Sequence, residues 1–258
     1  MLKSGTISYL APIKRIEVAP IELSGRVPSI NRVKIKTEKE FLSITFFIHN
    51  IFCKDEALSL TRDTAELIAN KISFELNCQI GDIWCNGYFL PKKDENGHVG
   101  SSSLLVSCNI VGATVTHGFE ITQKLKEFLE EPSKDSDRYL ALFRFALNQT
   151  NSITRFLFLY NLMLLLNGDK QRDVDVQILF INNNTPVTPD PRNPKIMETI
   201  YTRLRNEVGH RRSNVDPTKT TKEIQQNISV FQNIVKAALY LKHSDMTNRE
   251  GSGLDIQE

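Results

Sequence analysis

The residues of this chain best suited to chemistry lie together in Tyr201–Arg212, YTRLRNEVGHRR, where Arg205, Asn206 and His210 occupy the end of a predicted helix. At about 100° and 1.5 Å per residue, Arg205 and His210 stand roughly 140° and 7.5 Å apart. That separation is too long for a direct pair and suits two groups that reach toward a shared ligand. Imidazole titrates near neutrality, so His210 can take a proton from a ribose hydroxyl or return one to a leaving oxygen. Arg205 offers a planar fork of donors to phosphate oxygens as negative charge gathers on them. Asn206 can place either partner through its amide, and Arg211 and Arg212 add cations for a polyanionic substrate. Together they point to phosphoryl transfer without a metal ion. The plainer reading is a helix C-terminus whose His210, Arg211 and Arg212 face the negative end of the macrodipole.

The helix that must position these groups is expected to open at Asn193-Pro194, an N-cap followed by a proline at the first helical position. Ile196, Ile200, Leu204 and Val208 recur every fourth residue and are expected to face a core, which puts Arg205 and His210 toward the outer surface. Gly209 is disfavoured inside a helix and marks its end or a close backbone approach. The stretch before it, INNNTPVTPDPRNP, carries four prolines and is expected to be a loop. Further back, Arg138–Gln149 and Ile153–Asn167 are predicted helices, the second apolar on nearly every side. Arg144 and Arg155 within them are expected to snorkel or to pair with Asp173, Asp175 or Glu198. Residues 170–181 alternate like a strand in surroundings that favour a short helix. Thr220-x-x-Glu223 has capping-box spacing, and Ile224, Ile228, Phe231, Val235, Ala238 and Leu241 give the last helix its apolar face.

The string Leu204-Arg205-Asn206-Glu207-Val208-Gly209-His210 resembles the signature of the HEPN superfamily, an arginine, a polar residue beside it, and a histidine a turn or so beyond. Four helices over 137–243, with the motif near the end of the third, are similar to HEPN-type proteins related to a methylamine-utilisation accessory protein. The resemblance covers the helical half and is specific mainly at the motif; residues 1–116 carry no comparable signal. It implies an all-α domain that pairs two-fold and brings two motifs into one cleft. The implied activity is an endoribonuclease that needs neither metal nor cofactor, and the implied setting is a toxin or an antiviral-defence effector. His210 would then transfer protons, Arg205 would stabilise the transition state, and Asn206 would orient the substrate or the histidine. Arg211 and Arg212 would contact substrate. RNA and a second copy of the chain, joined through the helical domain, are the implied partners, with an antitoxin or a phage-derived trigger as further ones. Some members of the family keep the fold without activity. A non-catalytic binding or dimerisation protein with a ligand- or partner-sensing β-rich domain is therefore the second reading.

The whole chain sets bounds on these expectations. Its 258 residues allow two ordinary domains, and 32 basic against 30 acidic residues leave a net charge of only +2. No overall basic field announces a nucleic acid, so an RNA site must be a local patch. The amino terminus lacks the apolar core of a signal peptide, and the longest apolar run, Leu157–Leu166, is too short for a bilayer. A soluble, cytoplasmic protein with no membrane partner is expected. Cys53, Cys78, Cys85 and Cys108 follow no metal-ligand spacing and are expected to be reduced and mostly buried. His49, His98 and His117 have no companion ligands and are expected to be ordinary surface or core residues.

The expected fold class is α+β. Residues 1–116 are predicted as a mostly β domain, with strands at Ile7–Leu10, Ile13–Val18, Arg32–Lys36, Leu42–Asn50, Ile72–Cys78, Ile83–Leu90 and Ser103–Val115. One helix is expected near Lys54–Asn70, and a loop with an Asn96-Gly97 turn joins the last two strands. Residues 117–136 are predicted as a bridging helix, Gly118–Glu131, and a linker that begins at Pro132. Residues 137–243 are predicted as the all-α, HEPN-like bundle, and residues 244–258 as a disordered tail.

Overall fold

The computed structural model describes residues 3–14, 16–25, 27–38, 40–90, 101–103, 115–116, 119–210 and 215–250. The architecture is mixed α+β and divides into two compact units, Met1–Asp137 and Arg138–Glu258. The predicted Asn96-Gly97 turn, the run 104–114, His98, His117, Cys108 and residues 251–258 lie outside the described residues.

The first unit is built on strands β1 (Lys3–Pro12), β3 (Ile21–Ser24), β4 (Ile30–Glu38), β5 (Phe41–Ile51), β6 (Trp84–Phe89) and β7 (Ser101–Ser103), with a short β2 (Ile16–Glu17) beside β8 (Val115–Thr116). The main sheet runs in the order β3-β4-β5-β1-β6-β7, and every pairing in it is antiparallel. Alternation decides which side is dry. Ile7, Tyr9 and Ala11 lie opposite Phe46, Ile44 and Leu42, and Ile44 and Phe46 lie opposite Ile35 and Val33. All are buried in one core. The other side carries Ser8 bonded to Thr45 at 3.0 Å and the Arg32 guanidinium over the Phe47 ring.

Helix α1 (Lys54–Glu75) covers the apolar side through Ala57, Ala65, Ile68, Ala69 and Ile72. The strand expected at Ile72–Cys78 is a correction: its first half is the last turn of α1. Ile68 and Ile72 continue the helical stripe, and i, i+4 neighbours on a buried face outweigh β propensity. The helix ends where Asn77 turns left-handed at φ 51°. There the Cys78 N–H reaches the Ser73 carbonyl at 3.0 Å and the Asn77 N–H reaches Phe74, which caps the orphan carbonyls. Helix α2 (Phe119–Glu130) belongs to this same unit, packed on α1 and β3.

The second unit holds α3 (Asp137–Asn148), α4 (Ser152–Leu166), α5 (Gln171–Ile181), α6 (Ile200–His210) and α7 (Pro217–Glu250). The ambiguous residues 170–181 are thus helical, with Val174 and Ile178 buried one turn apart. The loop expected before the motif is instead a hairpin, β9 (Val187–Asp190) against β10 (Asn193–Thr199). The bundle is therefore not wholly α. Prolines block helix in this stretch, and the Asp190 and Asn193 side-chain oxygens turn the chain by accepting from the backbone N–H groups of Arg192 and Lys195. The last helix also starts earlier than its capping box predicts. Asp216 accepts from the Thr218 N–H at 2.8 Å, Pro217 takes the first helical position, and the backbone stays helical to Glu250, seven residues into the expected tail. No helix among the described residues is long and apolar enough to cross a membrane.

Candidate active site around Arg205 and Asn206

Helix α6 begins one residue after Thr199, whose hydroxyl accepts from the Thr202 N–H at 3.3 Å. That cap replaces the expected one at Asn193 and shifts the inward face. Tyr201, Thr202, Leu204 and Asn206 are the buried positions, while Ile196 is exposed on the hairpin and Ile200 and Val208 are half-buried. A spacing of four residues overshoots the helical repeat by about 40° at each step, so the stripe Ile196 to Val208 was never one straight face. Arg205 stands four residues after Tyr201 and three after Thr202. It therefore points inward, half-buried, rather than to the outer surface.

Its surroundings are a connected polar network inside the helical unit. The Arg205 guanidinium donates to the Asn206 carbonyl oxygen at 3.1 Å and lies 6.0 Å from the centre of the Tyr160 ring. Asn206, 6% exposed, donates its amide N–H to Glu198 at 3.1 Å, and Glu198 is itself 2% exposed. A carboxylate only accepts, so Glu198 fixes which way the Asn206 amide faces and leaves its oxygen toward Arg205. Beside them Asp175 accepts through one oxygen from the Thr199 N–H at 3.1 Å, the Thr199 hydroxyl at 2.7 Å and the Thr202 hydroxyl at 2.6 Å. The Thr202 proton is thus committed, so the Tyr160 hydroxyl must donate to Thr202 across their 2.7 Å contact. Burial raises the Asp175 carboxyl above the ordinary aspartate value, opposed by the Thr202 and Thr199 hydroxyls. Burial also drives the Tyr160 phenol upward and the Tyr201 phenol up to about 12.

Of the residues singled out from sequence, Arg205 and Asn206 are brought together. The backbone of His210 closes α6, but its side chain, with Arg211 and Arg212, lies outside the described residues. Asn206 is bonded to Arg205 and Glu198, beside its expected role of orienting the substrate or the histidine. Arg155 is also a correction: its guanidinium grips the Gln149 carbonyl at 2.7 and 3.0 Å and has burial lowering its affinity for a proton, while Asp175 serves the threonines. Arg144 is buried rather than snorkelling to solvent.

Glu198, Asp175, Tyr160, Thr199 and Thr202 are members of one network that was not legible from the motif. The spacing of Thr199, Thr202 and Asn206 at i, i+3 and i+7 is a polar stripe of helical period and could have shown it. Thr220 and Glu223 were assigned to a cap and instead bind α6. The Thr220 hydroxyl donates to Glu207 at 2.7 Å, and Arg203 bridges Glu207 at 2.6 Å and Glu223. Of the thiols, Cys78 is buried, Cys85 is half-buried with its proton held by burial, and Cys53 is exposed; none of the three is in a disulfide.

Comparison of this chain with family models, with curated proteins and with solved structures gave no match.

Proposed function

We propose that the helical unit is a HEPN-type, metal-independent endoribonuclease that acts as a homodimer, in the role of a toxin or antiviral-defence effector. The observation that carries this reading is a guanidinium whose geometry is set before any ligand arrives. Glu198 orients Asn206, Asn206 holds Arg205, and the Tyr160 ring borders it. Donors arranged in advance around developing phosphate charge contribute most where they need not reorganise. His210, one to two turns beyond on the same helix, would take the 2′-hydroxyl proton. Attack of that oxygen on the adjacent phosphorus would break its bond to the 5′-oxygen of the next nucleotide, leaving a cyclic phosphate and a 5′-hydroxyl protonated by the second motif. Two motifs across a dimer axis would supply both an acid and a base. Arg211 and Arg212 would bind the RNA backbone.

The test is cleavage of labelled RNA in the presence of a chelator. His210→Ala should abolish it and leave the melting temperature unchanged. Glu198→Gln should lower kcat by on the order of 100-fold with little change in KM, because it frees the Asn206 amide to turn and misplaces Arg205. Wild-type protein that leaves RNA intact, or a His210→Ala variant that cuts at the wild-type rate, removes the assignment.

The second reading, an RNA- or partner-binding protein of the same fold without catalysis, is favoured by one feature. Asn206 is buried and has both ends of its amide engaged within the chain, so it has little left to offer a substrate.

A further inference from the structure

An open cavity of about 570 Å³ lies beside the motif helix, within the size range of small-molecule sites. Ile153, Val208, Val215 and Pro217 form its apolar walls, and Glu207, Thr220 and Thr221 supply its polar lining. The proton of the Thr220 hydroxyl goes to Glu207 at 2.7 Å or to the Asp216 carbonyl at 3.3 Å, and that of Thr221 goes to the Pro217 carbonyl at 2.8 Å. At the start of α7 the N–H groups of Thr218 and Thr220 are held by Asp216, and Pro217 has none. Glu207 accepts from Arg203 through one oxygen and from Thr220 through the other, which leaves each oxygen a further lone pair. These polar groups therefore meet a ligand as acceptors, so the ligand must bring the donors.

We propose that this cavity takes a guanine base against Glu207. Guanine is the RNA base whose ring N–H and exocyclic amino group offer two adjacent donors, a pair that a carboxylate accepts together. Adenine and cytosine set an amino group beside an acceptor nitrogen, which a carboxylate repels, and uracil has a single N–H between two carbonyls. The four apolar walls suit the faces of a flat ring. Residue 207 stands one turn before residue 210 on α6, so a base held there lies within one nucleotide of the helix end that carries His210. The proposal rests on the endoribonuclease reading for its biological sense and predicts a preference for cleavage at guanosine.

The full chain is titrated calorimetrically with GMP, AMP, CMP and UMP, and cleavage sites are mapped on mixed-sequence RNA. GMP should bind about tenfold or more tighter than the others, the discrimination expected of a bidentate pair. Glu207→Gln should erase the preference, because its amide replaces an acceptor with a donor. Val208→Trp leaves the Glu207–Arg203 pair in place, fills the cavity and should abolish GMP binding without loss of helical circular dichroism. Equal binding of the four nucleotides, no binding at millimolar GMP, or wild-type GMP binding by the Val208→Trp variant overturns the proposal. Selective GMP binding by a chain that leaves RNA intact keeps the pocket and removes the nuclease reading. Cleavage without guanosine preference, and without GMP binding, does the reverse.

Discussion

Asp175 shows how a single side chain ties together the elements that border Arg205. One of its oxygens receives three hydrogen bonds from Thr199 and Thr202, joining α5 to the start of α6, and Thr202 passes the chain on to Tyr160 of α4. The carboxyl is buried, and that burial holds its proton more tightly in the folded chain than in the unfolded one. The folded state therefore binds more protons between the ordinary aspartate value of 3.8 and the raised one, and stability falls as pH rises through that window. Asp175→Asn keeps an acceptor oxygen for the threonines and removes the titration. Urea midpoints measured over a pH series should show wild type losing ground to the variant from near pH 4 upward, with the difference levelling once the wild-type carboxyl is ionised. A constant difference across the series would mean that the carboxyl does not titrate there.

At the scale of elements, the first unit depends on a buried cation that no motif advertises. Lys71 of α1 is 2% exposed, and its ammonium donates to the carbonyls of Phe128 at 3.1 Å and Glu131 at 2.9 Å, over the Phe128 ring. It thereby closes the C-terminal end of α2, where the macrodipole favours a positive charge. An Asn70 boundary for α1 would have placed this residue in a connector. Lys71→Met matches the stem in length but removes the donors and leaves one buried and one part-buried carbonyl without this partner. It should destabilise the protein by about 1–3 kcal/mol in denaturant unfolding. A variant within a few tenths of a kcal/mol of wild type would show that water replaces the amine. In the second unit the corresponding tie is the cluster Arg203, Glu207, Glu223 and Thr220, which fastens the motif helix to α7.

For the molecule as a whole, the proposed nuclease requires a second copy, and the exposed apolar residues of α3 and α4 are where that requirement can be tested. Leu142, Phe145 and Phe158 are exposed large apolar residues, and the Phe145 and Phe158 rings meet edge to face at 4.8 Å across the two helices. A two-fold contact sets the same patch against itself, so one substitution places two like charges in the interface. Phe145→Asp should convert a dimer to a monomer in sedimentation equilibrium and should abolish RNA cleavage while the far-ultraviolet spectrum is retained. A wild-type chain that sediments as a monomer at cellular concentrations, yet cuts RNA, would rule out the composite site.

The sequence by itself determined the fold class, the strand character of the first unit, and helices at α1, α3, α4 and α7, because those elements follow from local periodicity and from breakers such as Pro132. It also singled out Arg205 and Asn206 as neighbours worth attention. Only the tertiary structure decided where α6 starts and which way it faces. The Thr199 cap is held by a partner outside the segment, Asp175, twenty-four residues away. The resulting phase of the helix places Arg205 beside the Tyr160 ring and Asn206 against Glu198. A period can be counted along a chain, but the phase of a helix is fixed by what it packs against.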